Sequence, residues 1–239
     1  MLMFQNFPKK RIELPCEYQK IYTEHYLNNR KGQTTASFFS RKMEAWLHRK
    51  VAKDVKNQHD KSTLEIGAGT LNQLAYEQTV DYDIIEPFSV LYEQSPYLQR
   101  IKNIYADIAE IDSSKKYRRI TSIAVFEHIE NLPETIARTC LLLDKNGVLR
   151  VSIPNEGTFL WRLGTRVSGM EFRRKYNLDY DVLMQYEHVN TADEIEEVLR
   201  YFYKKIRCSC FGINKKIAFY RFYECKEPNV ELAEKFLNR

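Results

Sequence analysis

The stretch STLEIGAGTLNQL, at residues 62–74, decides which fold the rest of the chain can form. It starts as a short apolar strand and ends in a turn that holds Gly67 and Gly69, two of only 8 glycines in 239 residues. Glycine lets the backbone bend sharply and lets a ligand come close to the main chain. The stretch therefore predicts a strand followed by a ligand-binding turn.

Strand and helix signals alternate outward from this turn. Helices are predicted at 36–56, directly after the glycine turn, at 88–100 and at 131–147. Further strands are predicted at YDIIEPF (82–88), NIYADIAEI (103–111), RITSIAVFEHI (119–129) and VLRVSIPN (148–155). Such alternation indicates an α/β, doubly wound sheet whose ligand lies beyond the carboxyl ends of the strands.

The carboxyl-terminal third has two clear signals. Thr191 and Glu194 stand in capping-box spacing and predict the start of an amphipathic helix. The β-rich runs at 204–213 and 215–225 are separated by Asn214 and predict an antiparallel hairpin. No internal repeat interrupts this order, which favours a single sizeable domain.

The composition is that of a soluble globular protein, with 44% hydrophobic and 29% charged residues. No apolar run approaches the roughly 20 residues that cross a bilayer, and the amino terminus lacks a signal-peptide core. The five cysteines show no paired spacing, so reduced thiols and a cytoplasmic location are expected. The net charge of +5 favours anionic partners without selecting nucleic acid.

The strand ends carry the candidate ligand-binding residues. Glu86 ends the second strand 19 residues after Gly67, about the spacing at which an acid meets a ribose in nucleotide-binding α/β folds. The dinucleotide-binding motif requires a third glycine at position 72, where this chain has Asn72. The pattern therefore weakens the hypothesis of a dinucleotide cofactor.

The ordered motifs resemble the class I S-adenosylmethionine-dependent methyltransferases. LEIGAGT resembles their first cofactor loop, DIIEP their ribose-binding acid, YADI their adenine-side acid, VFEHIENLP the segment after the fourth strand, and GVLRVSIPN the fifth strand. EHVNTADEIEEVLR and the hairpin are similar to the family's last helix and closing strand. The resemblance implies a Rossmann-like, seven-stranded, mostly parallel sheet with an antiparallel last strand and a lid insertion.

The resemblance also implies S-adenosyl-L-methionine as the cofactor and assigns roles to the glycine turn. Gly67, Ala68 and Gly69 would pass beneath the methionine part of the cofactor, and Glu65 would order the turn. Leu71 stands where many family members carry another glycine, which marks a place where the path of this loop can differ from theirs.

At the next strand ends, the resemblance implies that Glu86 accepts hydrogen bonds from both ribose hydroxyls and Asp107 accepts one from the adenine amino group. The positions implied to flank the cofactor are Pro87 or Phe88, Ile108, Phe126 and Glu127.

Two histidines stand at the predicted mouth of the site, His128 after the fourth strand and His188 before the last helix. A neutral imidazole, with an ordinary pKa of about 6.5, suits the role of base for a hydroxyl acceptor. Some relatives hold a divalent metal with a Glu-x-x-Glu-His segment and a later histidine. Glu127, His128 and His188 match three of those places, but Ala124 occupies the first, so the prediction is two catalytic histidines and no metal.

The segment 156–186 is too long for an ordinary connection and is predicted to be a substrate lid within a methyltransferase domain at 36–225. Its aromatic and basic residues suit an anionic acceptor, or else form a solvated helix pair. A leader or lid at 1–35 and a tail at 226–239 complete the predicted organisation.

The favoured function is methyl transfer to a small-molecule or sugar-containing (glycan-type) acceptor, at oxygen, without a membrane span. RNA methylation is the alternative enzyme hypothesis; nucleic acid is disfavoured as a partner because no dense basic tail is visible. A catalytically silent, methyltransferase-like scaffold is the third hypothesis. The intact glycine turn, Glu86 and Asp107 argue against it.

Overall fold

The computed structural model describes residues 4–22, 38–57 and 59–238. Within these ranges seven strands form one sheet in the order β3-β2-β1-β4-β5-β7-β6. The strands are β1 (Thr63–Ile66), β2 (Tyr82–Ile85), β3 (Asn103–Tyr105), β4 (Tyr117–Ile123), β5 (Leu143–Pro154), β6 (Tyr203–Asn214) and β7 (Ile217–Pro228).

The strand directions confirm the predicted fold class. Strands β1 to β5 pair in parallel, and β7 runs antiparallel to both of its neighbours, β5 and β6. The chain moves outward from β1 through β2 to β3 and then returns to β4 on the other side of β1. The sheet therefore has a switch point between β1 and β4, where doubly wound folds bind their ligands.

Helices connect and flank the strands. They are residues 16–22 (α1), α2 (Phe38–Ala52), α3 (Ser89–Tyr92), α4 (Leu132–Leu142), α5 (Phe159–Tyr176), α6 (Tyr180–Glu187), α7 (Ala192–Phe202) and α8 (Val230–Leu237). Helix α7 begins at the predicted capping box, in which Thr191 and Glu194 bond each other's backbone. Over the described ranges, no helix combines the length and the apolar character needed to cross a bilayer.

The two faces of the sheet bury different side chains. Leu149 and Val151 of β5 belong to the main apolar core, together with buried residues of α4, α7 and α8. Arg150, between them, bonds the backbone of α2. Because successive strand residues point to opposite faces, α2 covers the face opposite that of α4 and α7.

Three predicted helices are shorter than expected. The glycine turn is followed only by a 3₁₀ turn, Asn72–Ala75. Helix α3 has four residues, and Pro96 opposes its extension to residue 100 because it disfavours a helical conformation at Ser95. Helix α4 ends at Leu142, and β5 begins at once.

The structure also places the predicted leader, insertion and tail. Leu14 and Tyr18 pack against Phe172 and Leu183 of the insertion, whose two helices are α5 and α6. The predicted tail contains the end of β7 and α8, which packs on α4. Residues 1–3 and 23–35 of the predicted leader lie outside the described residues.

Candidate active site

The turn after β1 needs glycine for two different reasons. Gly67 has a φ of +70°, and a Cβ atom there would lie 2.4 Å from Val125 Cγ2, beside the end of β4. Gly69 has a φ of +52°, but no described atom lies within 4 Å of its Cβ position. Gly67 is therefore required by packing as well as by backbone conformation, whereas Gly69 faces open space.

Leu71, which stands where many family members carry another glycine, has a glycine-like backbone conformation. Its φ is +64°, in the left-handed region that usually favours glycine, and its side chain is fully buried. It packs with Ala68, Leu74 and Tyr82 in a small apolar cluster beneath the turn. The buried leucine side chain thus stabilises the loop by packing in this apolar cluster.

Glu86 lies at the carboxyl end of β2, and the residue as a whole is 6% exposed. Its Oε2 accepts a hydrogen bond from the Gly69 amide at 2.8 Å, and its Oε1 accepts one from the Phe88 amide at 3.1 Å. Each carboxylate oxygen has a further lone pair to offer. The amides of Gly69 and Phe88 thus hold the carboxylate of Glu86 in place, and the carboxylate can still accept two more hydrogen bonds.

A cleft of about 570 Å³ opens above these strand ends. Its walls include Gly67, Glu86, Pro87 and His128 from the predicted site. Asp107 is exposed and caps the 3₁₀ turn Ile108–Glu110 by accepting the Ala109 amide at 2.7 Å.

Some predicted residues lie outside the walls that the described residues form. Ile108 and Phe126 are buried in the main core, and Ala68 is buried with Leu71. None of these three side chains lines the cleft.

Glu65 is buried within β1 and accepts a hydrogen bond from Tyr82 Oη at 2.9 Å. Burial raises the pKa of its carboxyl to about 8, although the bond from Tyr82 acts in the opposite direction. Its carboxyl therefore contacts the neighbouring strand rather than the glycine turn.

The structure brings His128 and His188 together, although 59 residues separate them in the chain. The two rings meet nearly at right angles with their centroids 4.8 Å apart. His128 lines the cleft, and its Nδ1 lies 2.9 Å from Glu187 O. The buried carboxylate of Glu127 lies beside them, with Oε1 3.8 Å from His128 Nε2.

Donor atoms of Glu127, His128 and His188 lie within 4.8 Å of one another. Two ligands of one ion, each about 2.1 Å from it, lie about 3.0–3.4 Å apart, which is closer than the 3.8 Å between His128 and Glu127. The expected absence of a metal stays a prediction.

Arg11 is a site residue that sequence reasoning missed. It lines the cleft and donates hydrogen bonds to Tyr186 O at 2.9 Å and to His128 O at 2.7 Å. It stands in the leader, more than 100 residues from both partners, within a basic run that looks like ordinary surface. Nothing local in the sequence signals its place, because only the packing of the leader brings it to the cleft.

Comparisons with known proteins agree with this geometry. A family model described as a methyltransferase domain matches residues 35–201. A search of curated proteins gave no match.

Solved structures of methyltransferases share the fold. The N-methyltransferase NodS from Bradyrhizobium japonicum, in complex with S-adenosyl-L-homocysteine, superposes with a TM-score of 0.57 at 14% identity, over 89% of this chain and 100% of that chain. A possible histamine N-methyltransferase from Thermotoga maritima gives 0.57 at 12% identity, over 88% and 99%. Magnesium protoporphyrin IX methyltransferase from Synechocystis PCC 6803 gives 0.54 at 13% identity, over 88% and 97%.

At these identities the solved structures establish the fold, whereas the family model covers well over half of the chain. The glycine turn, Glu86 and most of the residues that line the cleft lie within the matched residues, whereas Arg11 lies before them. The chain therefore belongs to the methyltransferase domain family.

Proposed function

We propose that this protein transfers a methyl group from S-adenosyl-L-methionine to a hydroxyl of a small-molecule or sugar-containing acceptor. The cofactor is supported by the family match and by neighbours solved with S-adenosyl-L-homocysteine. When bound, the cofactor supplies a methyl group on a positively charged sulfur. What remains for the protein is to hold the two reactants in line and to accept a proton.

The observation that carries the proposal is the carboxylate of Glu86 at the wall of the cleft. Backbone amides of Gly69 and Phe88 fix it, and its remaining lone pairs suit the two hydroxyls of a ribose. The open space at Gly69 and a volume of about 570 Å³ fit a nucleoside-sized ligand.

The other cofactor contacts follow from the same placement. Gly67, Ala68 and Gly69 would run beneath the methionine part, and Asp107 would reach the adenine amino group from the rim. The residues proposed to flank the cofactor are Pro87, Ile108, Phe126 and Glu127, with Glu65 supporting the strand beneath.

Oxygen is proposed as the acceptor atom because two histidines meet at the cleft. His128 lines the wall, and His188 contacts it. A hydroxyl must lose its proton when it gains a methyl group, and an imidazole is suited to take that proton near neutral pH. No metal is part of this proposal.

Exposed arginines support the proposed acceptor class, and free cysteines support the proposed location. Arg162, Arg166 and Arg174 are exposed on α5, which suits an anionic acceptor. The five free cysteines, two of them buried, support the proposed cytoplasmic location.

Calorimetry with S-adenosyl-L-homocysteine tests the proposal. The wild-type protein should bind it, and Glu86→Ala should weaken binding by at least about 100-fold, because the two hydrogen bonds lost from the ribose each contribute about 1.5–3 kcal/mol. Glu197→Ala, which removes an exposed carboxylate from α7, should leave the affinity unchanged. Failure of the wild-type protein to bind would exclude the proposed function, and an unchanged affinity of Glu86→Ala would exclude the ribose assignment.

A further inference from the structure

Glu156 holds His188 from the start of the insertion. Its Oε2 lies 2.5 Å from His188 Nδ1, and the His188 side chain is 8% exposed. The Trp161 ring stacks on the same imidazole, with centroids 5.8 Å apart and an interplanar angle of 25°. The His188 ring is therefore held at one edge by a carboxylate and on one face by an indole.

These partners determine which nitrogen of each histidine carries the proton. A carboxylate only accepts hydrogen bonds, so His188 Nδ1 must donate to Glu156, and the neutral ring keeps its lone pair on Nε2. His128 follows the same rule, since its Nδ1 lies 2.9 Å from a backbone carbonyl, Glu187 O. Both imidazoles therefore present Nε2 as the basic atom.

We propose that Glu156 is a positioning residue for methyl transfer: it holds His188 in the Nδ1-protonated form beside His128 and stabilises the positive charge that the histidine pair gains. The inference rests on the proposed function. In that reaction the acceptor oxygen bonds to the methyl carbon as the carbon–sulfur bond breaks. The hydroxyl proton moves to a histidine Nε2, and the resulting imidazolium faces a carboxylate.

The surrounding charges agree with this role. Burial disfavours a charged His188, but the hydrogen bond and charge of Glu156, with the charges of Glu127 and Glu187, outweigh it and raise the pKa of the imidazole. Besides these three carboxylates, the titratable group in ring contact with His188 is His128. Glu156 is the one bonded to the ring, so it contributes both orientation and charge.

Nitrogen-15 NMR of the histidine rings tests the proposal without knowledge of the acceptor. The labelled full chain is studied with S-adenosyl-L-homocysteine, and His188→Asn assigns the signals. In the wild-type protein His188 should carry its proton on Nδ1 at high pH. Glu156→Gln should keep that form, because an amide oxygen still accepts, but should lower the midpoint of protonation by about one pH unit, because the negative charge is lost.

Glu156→Leu should lose the preference for Nδ1, because no acceptor remains there. If that variant does not fold, the nearly isosteric Glu156→Gln carries the test. Glu197→Gln is the matched control and should change neither property. A wild-type His188 protonated on Nε2, or an unchanged midpoint in Glu156→Gln, would overturn the proposal.

Two further measurements separate this proposal from the proposed function. All Glu156 variants should bind S-adenosyl-L-homocysteine as the wild-type protein does; absence of binding by the wild-type protein would refute the cofactor instead. Spectra with and without EDTA should coincide. A difference would mean that the histidines hold a metal, which overturns the assignment of Nε2 as the basic atom.

Discussion

The two glycines of the turn after β1 differ in what surrounds them, although both have positive φ. At Gly67 the position of a Cβ atom falls against the side chain of Val125, whereas at Gly69 it falls in open space. Left-handed strain alone costs about 1–3 kcal/mol at a residue with a side chain. A steric clash at the end of β4 adds to that strain only at Gly67.

Gly67→Ala should therefore destabilise the protein by about 3–5 kcal/mol, and Gly69→Ala by only about 1 kcal/mol, because strain is joined by overpacking at the first site alone. Urea unfolding followed by circular dichroism measures both. Equal free energies of unfolding for the two variants would show that the alanine methyl group at position 67 does not clash with Val125.

Glu65 makes stability depend on pH. The folded pKa of about 8 exceeds the ordinary value of 4.5, so between these pH values the folded protein keeps a proton that the unfolded chain releases. The free energy of unfolding should therefore fall as pH rises from about 5 to 8. Glu65→Gln cannot ionise, so its free energy of unfolding should not fall for this reason. Its stability relative to the wild-type protein should therefore increase by a few kcal/mol, on the order of what the pKa difference predicts, as pH rises across this window.

Urea unfolding at pH 5, 6.5 and 8 measures the effect, with Glu197→Gln as the exposed control. A difference between Glu65→Gln and the wild-type protein that stays constant with pH would show that Glu65 titrates normally in the folded state.

At the scale of elements, the described leader, residues 4–22, joins the insertion to the rim of the cleft. The Lys9 amide donates to Glu130 O at 2.8 Å, and its side chain pairs with Glu194 at the start of α7. Arg11 follows and bonds the end of α6 and the turn after β4. The leader thus ties together two segments that each bring a histidine to the site.

Arg11→Ala should loosen the end of α6. We expect the amides of His188 and Val189 to exchange with solvent roughly tenfold faster, which corresponds to about 1.4 kcal/mol of local stability. Hydrogen-exchange mass spectrometry measures this. Lys10→Ala, which truncates the exposed neighbour, should leave these amides unchanged, and equal exchange in both variants would contradict the role given to Arg11.

At the scale of the whole molecule, a buried charge network fastens α2 to the sheet. Arg119 of β4 is fully buried and forms two bonds of 2.8 Å to the carboxylate of Glu77. It also pairs with Asp54, as does Arg150, and both arginines bond Val51 O in α2. Despite burial, these carboxylates raise the pKa of Arg119.

Arg119→Ala should cost about 3–5 kcal/mol, because it leaves the buried carboxylate of Glu77 without the positive charge that it pairs with. Arg118→Ala, at the next residue, removes an exposed guanidinium that pairs with Asp60 at 3.3 Å and should cost less than about 1 kcal/mol. Chemical denaturation of the two variants checks the contrast. A small loss for Arg119→Ala would mean that the ion pair of Arg119 with Glu77 contributes little to the stability of the fold.

Elements whose signals are local could be predicted from the sequence. The capping box placed the start of α7 correctly, because its two hydrogen bonds form within four residues. The helix predicted at 131–147 was too long at its carboxyl end, since Asn146 and Gly147 lie within β5. A Cβ atom at Gly147 would lie 2.8 Å from Leu143 Cδ2 and 3.0 Å from Asp144 O within β5, and 3.1 Å from Tyr117 O of the neighbouring β4. Gly147 thus serves the packing of β5 beside β4, which a helix-end rule does not consider.

The sequence by itself determined the alternation of strands and helices, the glycine turn and the acid that follows β2, because each depends on a few neighbouring residues or on a regular spacing. Only the tertiary structure decided that Arg11 reaches the cleft, that Glu156 holds His188, and that His128 and His188 share one site. These contacts join segments from 32 to 175 residues apart. Their geometry depends on how the leader and the insertion pack on the sheet, and that packing is a property of the whole fold.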